Sequence, residues 1–271
     1  MCAEPALRAA PAPTLYRMKK RLDVLLVERG LAASRAQAQA LVMAGRVPGH
    51  AKAGEQVDEN ADVVVEAPPR FVSRAGEKLE HALEALDVDV RALDCLDVGA
   101  STGGFTDCLL QRGAARVIAL DVGHGQLSQK LRDDPRVTVH ERTNARTVEE
   151  LPFPPQLITC DISFISVHVA LPPVLRLAKP GWQALVMVKP QFEAGRDDVG
   201  KGGVVRDVET RRRVVREVAE AALAWGAEPR GVVDSGLPGP KGNRETFLYL
   251  VQTEHPGLPN DLHDRIDAEV R

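Results

Sequence analysis

Nine consecutive residues, Asp97-Val98-Gly99-Ala100-Ser101-Thr102-Gly103-Gly104-Phe105, put an acid, three glycines and two hydroxyls into one short stretch. An apolar run at 92–96 precedes it, and a helical pattern at 105–111 follows. Strand, glycine-rich turn and helix in that order make a nucleotide-type site. The glycines let a ligand approach the backbone, and the helix N-terminus adds partial positive charge. The glycines stand at Gly99, Gly103 and Gly104 rather than in a G-x-G-x-x-G array, and Asp97 opens the loop. That variant suits a ligand with no pyrophosphate to cradle. A glycine-rich turn in another kind of α/β enzyme is the alternative at this point.

Further polar groups stand directly behind apolar runs. Asp121 closes Val117-Ile118-Ala119-Leu120, 24 positions after Asp97. A carboxylate there suits both hydroxyls of a bound ribose; the plainer reading is a loop acid that caps the next helix. Asn144, after the following run, is placed to edge an adenine. Asp161 closes Leu157-Ile158-Thr159-Cys160, and Lys189 closes Leu185-Val186-Met187-Val188. A lysine in that position is unusual, because burial makes its charge costly. Glu245 opens the last apolar run, behind Gly239-Pro240-Lys241-Gly242.

These positions gain meaning from the elements that carry them. Strands are expected at 95–98, 116–120, 137–140, 157–161, 183–189, 227–233 and 245–251, and helices at 105–111, 127–131, 168–177 and 208–223. The alternation predicts an α/β protein with a Rossmann-like, doubly wound and mostly parallel sheet. Ligands in such sheets bind beyond the carboxyl ends of the strands, where the residues above would gather. Before the first strand a helix is expected, started by Ser73 or Gly76, with Leu79, Ala82, Leu83 and Leu86 as its apolar face. Lys78 falls outside that face and by itself reads as a solvent lysine.

The 271 residues are 44% hydrophobic and 27% charged, enough for one large domain and a small one. Aromatics make up 4%, which argues against a platform of several exposed rings. The net charge of -3 is unevenly spread: 17–52 holds eight basic residues and only two acids, Asp23 and Glu28. A basic module on a mildly acidic chain points to an anionic partner. The four cysteines have no metal-ligand spacing, so no metal is expected. Cys95, Cys108 and Cys160 read as small buried hydrophobes in a reducing, cytoplasmic compartment. No run approaches the ~18 apolar residues of a membrane span, and the N-terminus lacks the apolar core of a secretory signal.

Residues 1–17, rich in Ala and Pro, are expected to be a disordered extension, with Met18 a candidate start. In the basic module Leu22, Leu25 and Leu26 share one helical face that Gly30 ends. Ser34 caps a second helix, with Ala36, Ala40, Leu41 and Met43 available to pack inward. A strand is expected at 62–66. Lys19, Lys20, Arg21, Arg35 and Arg46 are the candidate phosphate contacts. Arg21-Leu22-Asp23, Gly30-Leu31, Ser34-Arg35 and Ala44-Gly45-Arg46-Val47 resemble the small RNA-binding domain named after ribosomal protein S four. Its usual hairpin is shortened here to Val47-Pro48-Gly49-His50.

The glycine loop resembles the first motif of class I methyltransferases, which bind S-adenosylmethionine. A lysine before the first strand, an aspartate after the fourth, a lysine after the fifth and a glutamate on a late strand resemble the tetrad of ribose 2'-O-methyltransferases related to FtsJ. Carried over, these are Lys78, Asp161, Lys189 and Glu245. Ser73-Arg74-Ala75-Gly76-Glu77-Lys78-Leu79, Asp161-Ile162-Ser163-Phe164-Ile165-Ser166 and Lys189-Pro190-Gln191-Phe192-Glu193 are similar to the TlyA family, except that Ala75 stands where the family usually has Gly. The resemblance covers about residues 19–251. It implies methyl transfer from S-adenosylmethionine to the ribose 2'-hydroxyl of a cytidine in ribosomal RNA. The cofactor would be held by Asp97, Gly99, Ser101, Gly103, Gly104, Phe105, Asp121 and Asn144.

Lys189 is the candidate base for the hydroxyl proton. A free lysine titrates near about 10.4, so a lysine base needs a surrounding that lowers this to roughly 7–8. Ribosomal RNA or a ribosomal subunit is the expected partner, with no membrane and no metal. The expected organisation is an extension at 1–17, an RNA-binding domain at 18–67, a linker at 68–75, a methyltransferase domain at 76–255 and a tail at 256–271. Some members of the family carry the name haemolysin, which makes a membrane-active protein the rival reading. It needs an apolar or strongly amphipathic segment, and the best candidate helix carries Arg211, Arg212, Arg213 and Arg216. A non-catalytic RNA-binding factor is a second rival, opposed by the filled tetrad and the intact loop. A pseudouridine synthase, which would share the front module, needs no such loop.

Overall fold

In the computed structural model, which describes residues 18–239 and 241–271, the chain divides after Pro69 into two units. The expected extension at 1–17, with Cys2, lies outside the described residues. The first unit runs β1 (Lys19–Arg21), α1 (Leu22–Glu28), α2 (Arg35–Met43) and β2 (Gln56–Asp58). Leu22, Leu25 and Leu26 are buried on one face of α1, as their spacing requires. Gly30, at φ +71°, ends the helix. Ser34 caps α2 by accepting the Gln37 N–H at 3.2 Å.

Two expectations fail in this unit. The inward row of α2 is Ala38 and Val42, one turn apart, whereas Ala36 and Ala40 face solvent and Met43 is 86% exposed. The strand expected at 62–66 does not form; β1 pairs instead with β2, Lys20 opposite Val57. Side chains take the neighbouring backbone: Arg46 Nε donates to the Glu66 carbonyl at 2.8 Å, and Arg29 donates to the carbonyls of Glu59 and Ala61.

The second unit runs α3 (Ala75–Ala85), β3 (Asp94–Val98), α4 (Gly104–Gln111), β4 (Arg116–Leu120), α5 (Gln129–Arg132), β5 (Val137–His140), β6 (Leu157–Cys160), α6 (Val167–Leu175), β7 (Gln183–Val188), α7 (Pro190–Glu193), α8 (Val208–Ala224), β8 (Ala227–Asp234), β9 (Thr246–Gln252) and α9 (Leu262–Glu269). The strands form one sheet in the order β5-β4-β3-β6-β7-β9-β8, with the first five parallel and β9 antiparallel to both neighbours.

Side chains alternate across the sheet. Leu96, Val98, Ile118 and Leu120 enter the core layer that holds residues of α6, α8 and α9. Cys95, Val117 and Ala119 enter the layer that holds residues of α3 and α4. Residues 256–271, expected as a tail, include α9, whose Leu262 and Ile266 are buried in the first layer. Cys95, Cys108 and Cys160 are free and buried, and burial pushes each thiol up to about 12. Such thiols are inert packing groups.

Candidate active site

Strand register assembles the site. Val98 pairs with Leu120 on one side and Cys160 on the other, and Cys160 pairs with Val186. The residues that follow, Gly99, Asp121 and Asp161, therefore share one edge of the sheet with the end of β7. Because β9 runs against β7 and Thr246 pairs with Val188, Glu245 and Lys189 stand next to each other at that same edge. The chain changes direction across the sheet between β3 and β6, which opens a crevice there. Two cavities lie at this edge, one of about 210 Å³ along the glycine loop and one of about 660 Å³ beside it.

The small cavity is lined by the loop from Gly99 to Thr102 with Gly104 and Phe105, together with Ser73, Ala75, Asp97 and Asp161. Asp97 lies on the sheet face that α4 covers and is fully buried. Its Oδ2 accepts the Thr106 N–H at 2.9 Å and the Thr106 hydroxyl at 2.7 Å, which ties the strand end to α4. Burial, reinforced by the Asp161 charge, pushes its carboxyl up to about 7 despite the hydrogen bonds from Thr106.

The glycines answer to protein neighbours. A Cβ on Gly99 would stand 2.8 Å from the Asp161 carbonyl oxygen, one on Gly103 would strike Leu131 and Leu127, and one on Gly104 would strike Ser73. Gly99 and Gly103 also have positive φ, +86° and +98°. The close approach expected of a ligand is thus first a close approach of α3, α5 and β6. Asp121 latches the loop: its Oδ2 accepts the Ser101 N–H at 2.8 Å and its Oδ1 the Gly123 N–H at 2.6 Å. Asn144 is exposed and accepts the Arg146 N–H at 3.0 Å. Neither Asp121 nor Asn144 lines the small cavity. The ring of Phe105 packs in the core against Phe247, centroids 5.8 Å apart.

The lining of the small cavity has two carboxyl groups and no lysine or arginine. That donor set rejects a polyphosphate and fits a ligand that carries positive charge, as a sulfonium does. A bound cation would also draw the Asp97 carboxyl back toward ionisation.

The larger cavity collects Lys78, Asp161, Lys189 and Glu245. Lys78, a solvent lysine by its helical position alone and a tetrad member by the resemblance, is 7% exposed: α3 turns it under the sheet edge, where its ammonium pairs with Glu245. The one-dimensional apolar pattern of α3 misses this because a buried charge with a buried partner leaves no hydrophobic signal. Lys189 Nζ lies 2.6 Å from Asp161 Oδ1 and donates to Ser163 Oγ at 3.0 Å. Burial pushes the Asp161 carboxyl up, opposed by the Lys189 charge.

Asp161, Ser73 and Ala75 line both cavities. Phe164, also in the larger cavity, is 91% exposed with φ +69° and stands 5.3 Å from the Phe192 ring. A bulky residue held exposed with left-handed backbone marks a functional loop. Glu193 receives the Ser166 hydroxyl at 2.5 Å and the Val167 N–H at 2.9 Å, joining the loop after Asp161 to the turn after Lys189. Ser163, Phe164 and Glu193 were not among the expected site residues. Their signal is position: all three lie within four residues of a tetrad member, Ser163 and Phe164 on the loop behind β6 and Glu193 at the end of the short helix behind β7.

In the first unit Arg21 and Arg35 converge on Asp23, with Oδ2 3.0 Å from an Nη of each. These guanidinium groups, the Arg21 bonds first, hold the Asp23 carboxyl well below the usual carboxylate range. Lys20 pairs with Glu28 at 2.7 Å and Arg46 binds the Glu66 carbonyl. Lys19 is exposed.

Among the described residues no helix is long and apolar enough to cross a membrane, and no cluster could hold a metal. Comparison with known proteins matches residues 71–252 to the FtsJ-like methyltransferase model and residues 20–47 to the S4 domain. A Mycobacterium tuberculosis protein named 16S/23S rRNA (cytidine-2'-O)-methyltransferase TlyA is 46% identical over 261 residues, 93% of this chain and 97% of that one. Hemolysin A of Brachyspira hyodysenteriae is 37% identical over 85% of this chain and 99% of its own. The solved structure of a hemolysin candidate from Streptococcus thermophilus superposes with a TM-score of 0.71 at 37% identity, covering 93% of this chain and 96% of that one.

Proposed function

The chain belongs to the FtsJ-like methyltransferase family, and from that premise we propose that it transfers a methyl group from S-adenosylmethionine to the ribose 2'-hydroxyl of a cytidine in ribosomal RNA. One observation carries the reading: Asp161 is a wall of both cavities, so the cation-accepting cavity opens onto the one that holds the two lysines. Related proteins named for this reaction support the acceptor.

Asp97, Asp161 and the backbone of Gly99 to Thr102 would hold the cofactor. When bound, S-adenosylmethionine supplies an electrophilic methyl group on a sulfonium. The chain's own work is on the hydroxyl, a poor nucleophile that must lose its proton as the new bond forms. Lys189 Nζ, in the cavity beside the reacting hydroxyl, is the group placed to receive that proton. Asp161 and Ser163 hold its Nζ from two sides and so set its direction. Glu245 holds Lys78 in the same cavity, where the ammonium stabilises negative charge as it develops on the 2'-oxygen. Phe164 offers an exposed ring on which the nucleotide base stacks.

The test is Lys189→Ala. Methyl transfer to ribosomal RNA should fall by about 10²–10⁴-fold, while calorimetry still detects cofactor binding. Retained turnover would sink the assignment. Removal of residues 1–66 should weaken RNA binding, with a shallower salt dependence; unchanged affinity would show that the basic front unit is not an RNA contact.

A further inference from the structure

Two loops border the larger cavity on its Glu245 side, residues 199–206 and 235–244. Their sequences, Val-Gly-Lys-Gly-Gly-Val-Val-Arg and Ser-Gly-Leu-Pro-Gly-Pro-Lys-Gly-Asn-Arg, contain four basic residues and no acid. Lys201, Arg206, Lys241 and Arg244 are all exposed. None forms an ion pair or side-chain hydrogen bond with another described residue. The arginines beneath and around them are bound: Arg213 to Asp198 and Glu217, Arg216 to Asp267.

The array is held in shape. Asn243, 3% exposed, accepts the Val205 N–H at 3.0 Å and donates to the Gly203 carbonyl at 2.8 Å, so one buried amide clamps the two loops together. Gly239 N–H donates to the Asn243 carbonyl at 2.8 Å, and Glu245 follows two residues later. Gly202, Gly203 and Gly242 have φ between +79° and +89°, and a Cβ on any of them would meet nothing within 4 Å. Packing does not demand these glycines, in contrast to Gly99, Gly103 and Gly104. They leave open space beside the four exposed cations, which a phosphate can approach closely.

A second observation lies under the second loop. Arg211, in the first turn of α8, is 7% exposed, yet it forms no ion pair and its Nε has no hydrogen-bond partner among the described residues. Burial, and then the neighbouring charge of Arg244, push its pKa down. The nearby carboxylates serve other groups: Asp207 caps α8 through the Thr210 N–H at 2.7 Å, and Asp234 accepts the Gly236 N–H at 2.8 Å. Arg211 and Arg244 repel each other and neither forms an ion pair with Asp234 or Asp207, so an anion placed here would relieve the repulsion.

We propose that residues 199–206, 235–239 and 241–244 form a phosphate-binding surface of the methyltransferase unit, one that holds the backbone of the RNA acceptor beside the cavity. Val199, Gly203, Lys241 and Asn243 line that cavity directly, so phosphates seated on the loops adjoin a ribose placed near Lys189. The inference rests on the reading of the cavity as the acceptor site. RNA backbone is the occupant because the surface is continuous with that cavity.

The test uses the full chain with Arg206→Ala, Lys241→Ala and Arg244→Ala combined. The KM for ribosomal RNA should rise at least about tenfold at 150 mM salt. The slope of log KM against log salt should become shallower by roughly two to three, one step of about 0.7–0.9 for each lost phosphate contact. The kcat at saturating RNA and the cofactor affinity should stay within about twofold, and the all-lysine variant Arg206→Lys/Arg244→Lys should restore the slope. An unchanged KM and slope overturn the proposal. Filter binding of the same RNA is measured alongside. If the parent protein methylates no RNA, the functional reading fails in that arm, while loss or retention of salt-sensitive binding still decides the surface. Should the triple variant melt early, Lys241→Ala alone, on an exposed turn, carries the same comparison with a slope change of about one step.

Discussion

The two cavities at the sheet edge are built from different materials. The small one follows the glycine loop, whose glycines are demanded by Asp161, Leu131 and Ser73 pressing on it. The large one holds two ion pairs and two phenylalanines. A site built on tightly packed glycines tolerates little added volume. One made of ion pairs has room for altered shape but is intolerant of a single lost charge. The same contrast separates the basic residues of the molecule. Those of the first unit are largely committed to Asp23, Glu28 and backbone carbonyls, whereas those of the two loops beside the cavity are free. A count of charges along the chain therefore misjudges where charge is available to a partner.

The sharpest way to break the contrast is to remove one member of the tighter pair. Glu245→Ala strands the Lys78 charge in a buried place and should cost about 3–5 kcal/mol, read as a drop in the thermal midpoint. Lys78→Met combined with Glu245→Leu should recover most of that stability but not turnover. If the double variant is no more stable than Glu245→Ala, the pair is not the cause. Next comes volume on the backbone side. Gly103→Ala, which would strike Leu131 at positive φ, should cost about 1–3 kcal/mol and weaken cofactor binding. The same change at Gly242, with open space around it, should alter cofactor affinity less than twofold. Equal effects at both positions would erase the distinction between glycines that pack and glycines that do not.

Asp97 offers a pH test. Its folded value of about 7 stands above the ordinary 3.8, so its contribution to stability is fully present below pH 3.8 and is lost as pH rises through 7. The difference is on the order of 4 kcal/mol. The stability gap between the parent and Asp97→Asn should therefore widen in the parent's favour from pH 8 to pH 5 when both are melted without cofactor. A gap that is flat with pH would show that Asp97 titrates as an ordinary carboxylate. The smallest effect belongs to Glu193→Gln, which keeps the shape of the bridge between the two catalytic loops. It should lower kcat by severalfold with RNA affinity intact, and a matching loss of RNA affinity would mean that the bridge serves binding instead.

Much was legible before any coordinates. Alternating apolar runs and turns follow from the periods of strand and helix, so the sheet strands at 116–120 and 137–140 agree with the structure end to end. Asp161, Lys189 and Glu245 were found because each directly adjoins an apolar run, where a charge is costly and so conspicuous. The tail helix α9 is hard to read because its apolar residues are few, and where a strand is expected at 62–66 the chain is instead tied at its two ends, by Arg29 at Ala61 and by Arg46 at Glu66.

What the chain alone determined is local: which segments bury themselves, which turns need glycine, and which charges sit at strand ends. Partners were decided only by the tertiary structure. Lys78 and Glu245 are separated by 167 positions, and no local pattern links them. They meet because β9 runs antiparallel into the edge where the parallel strands stop. The same folding spends Arg21 and Arg35 on a buried aspartate and leaves Arg206 and Arg244 open. Burial and pairing depend on what comes near in space, and spacing along a chain carries no record of that.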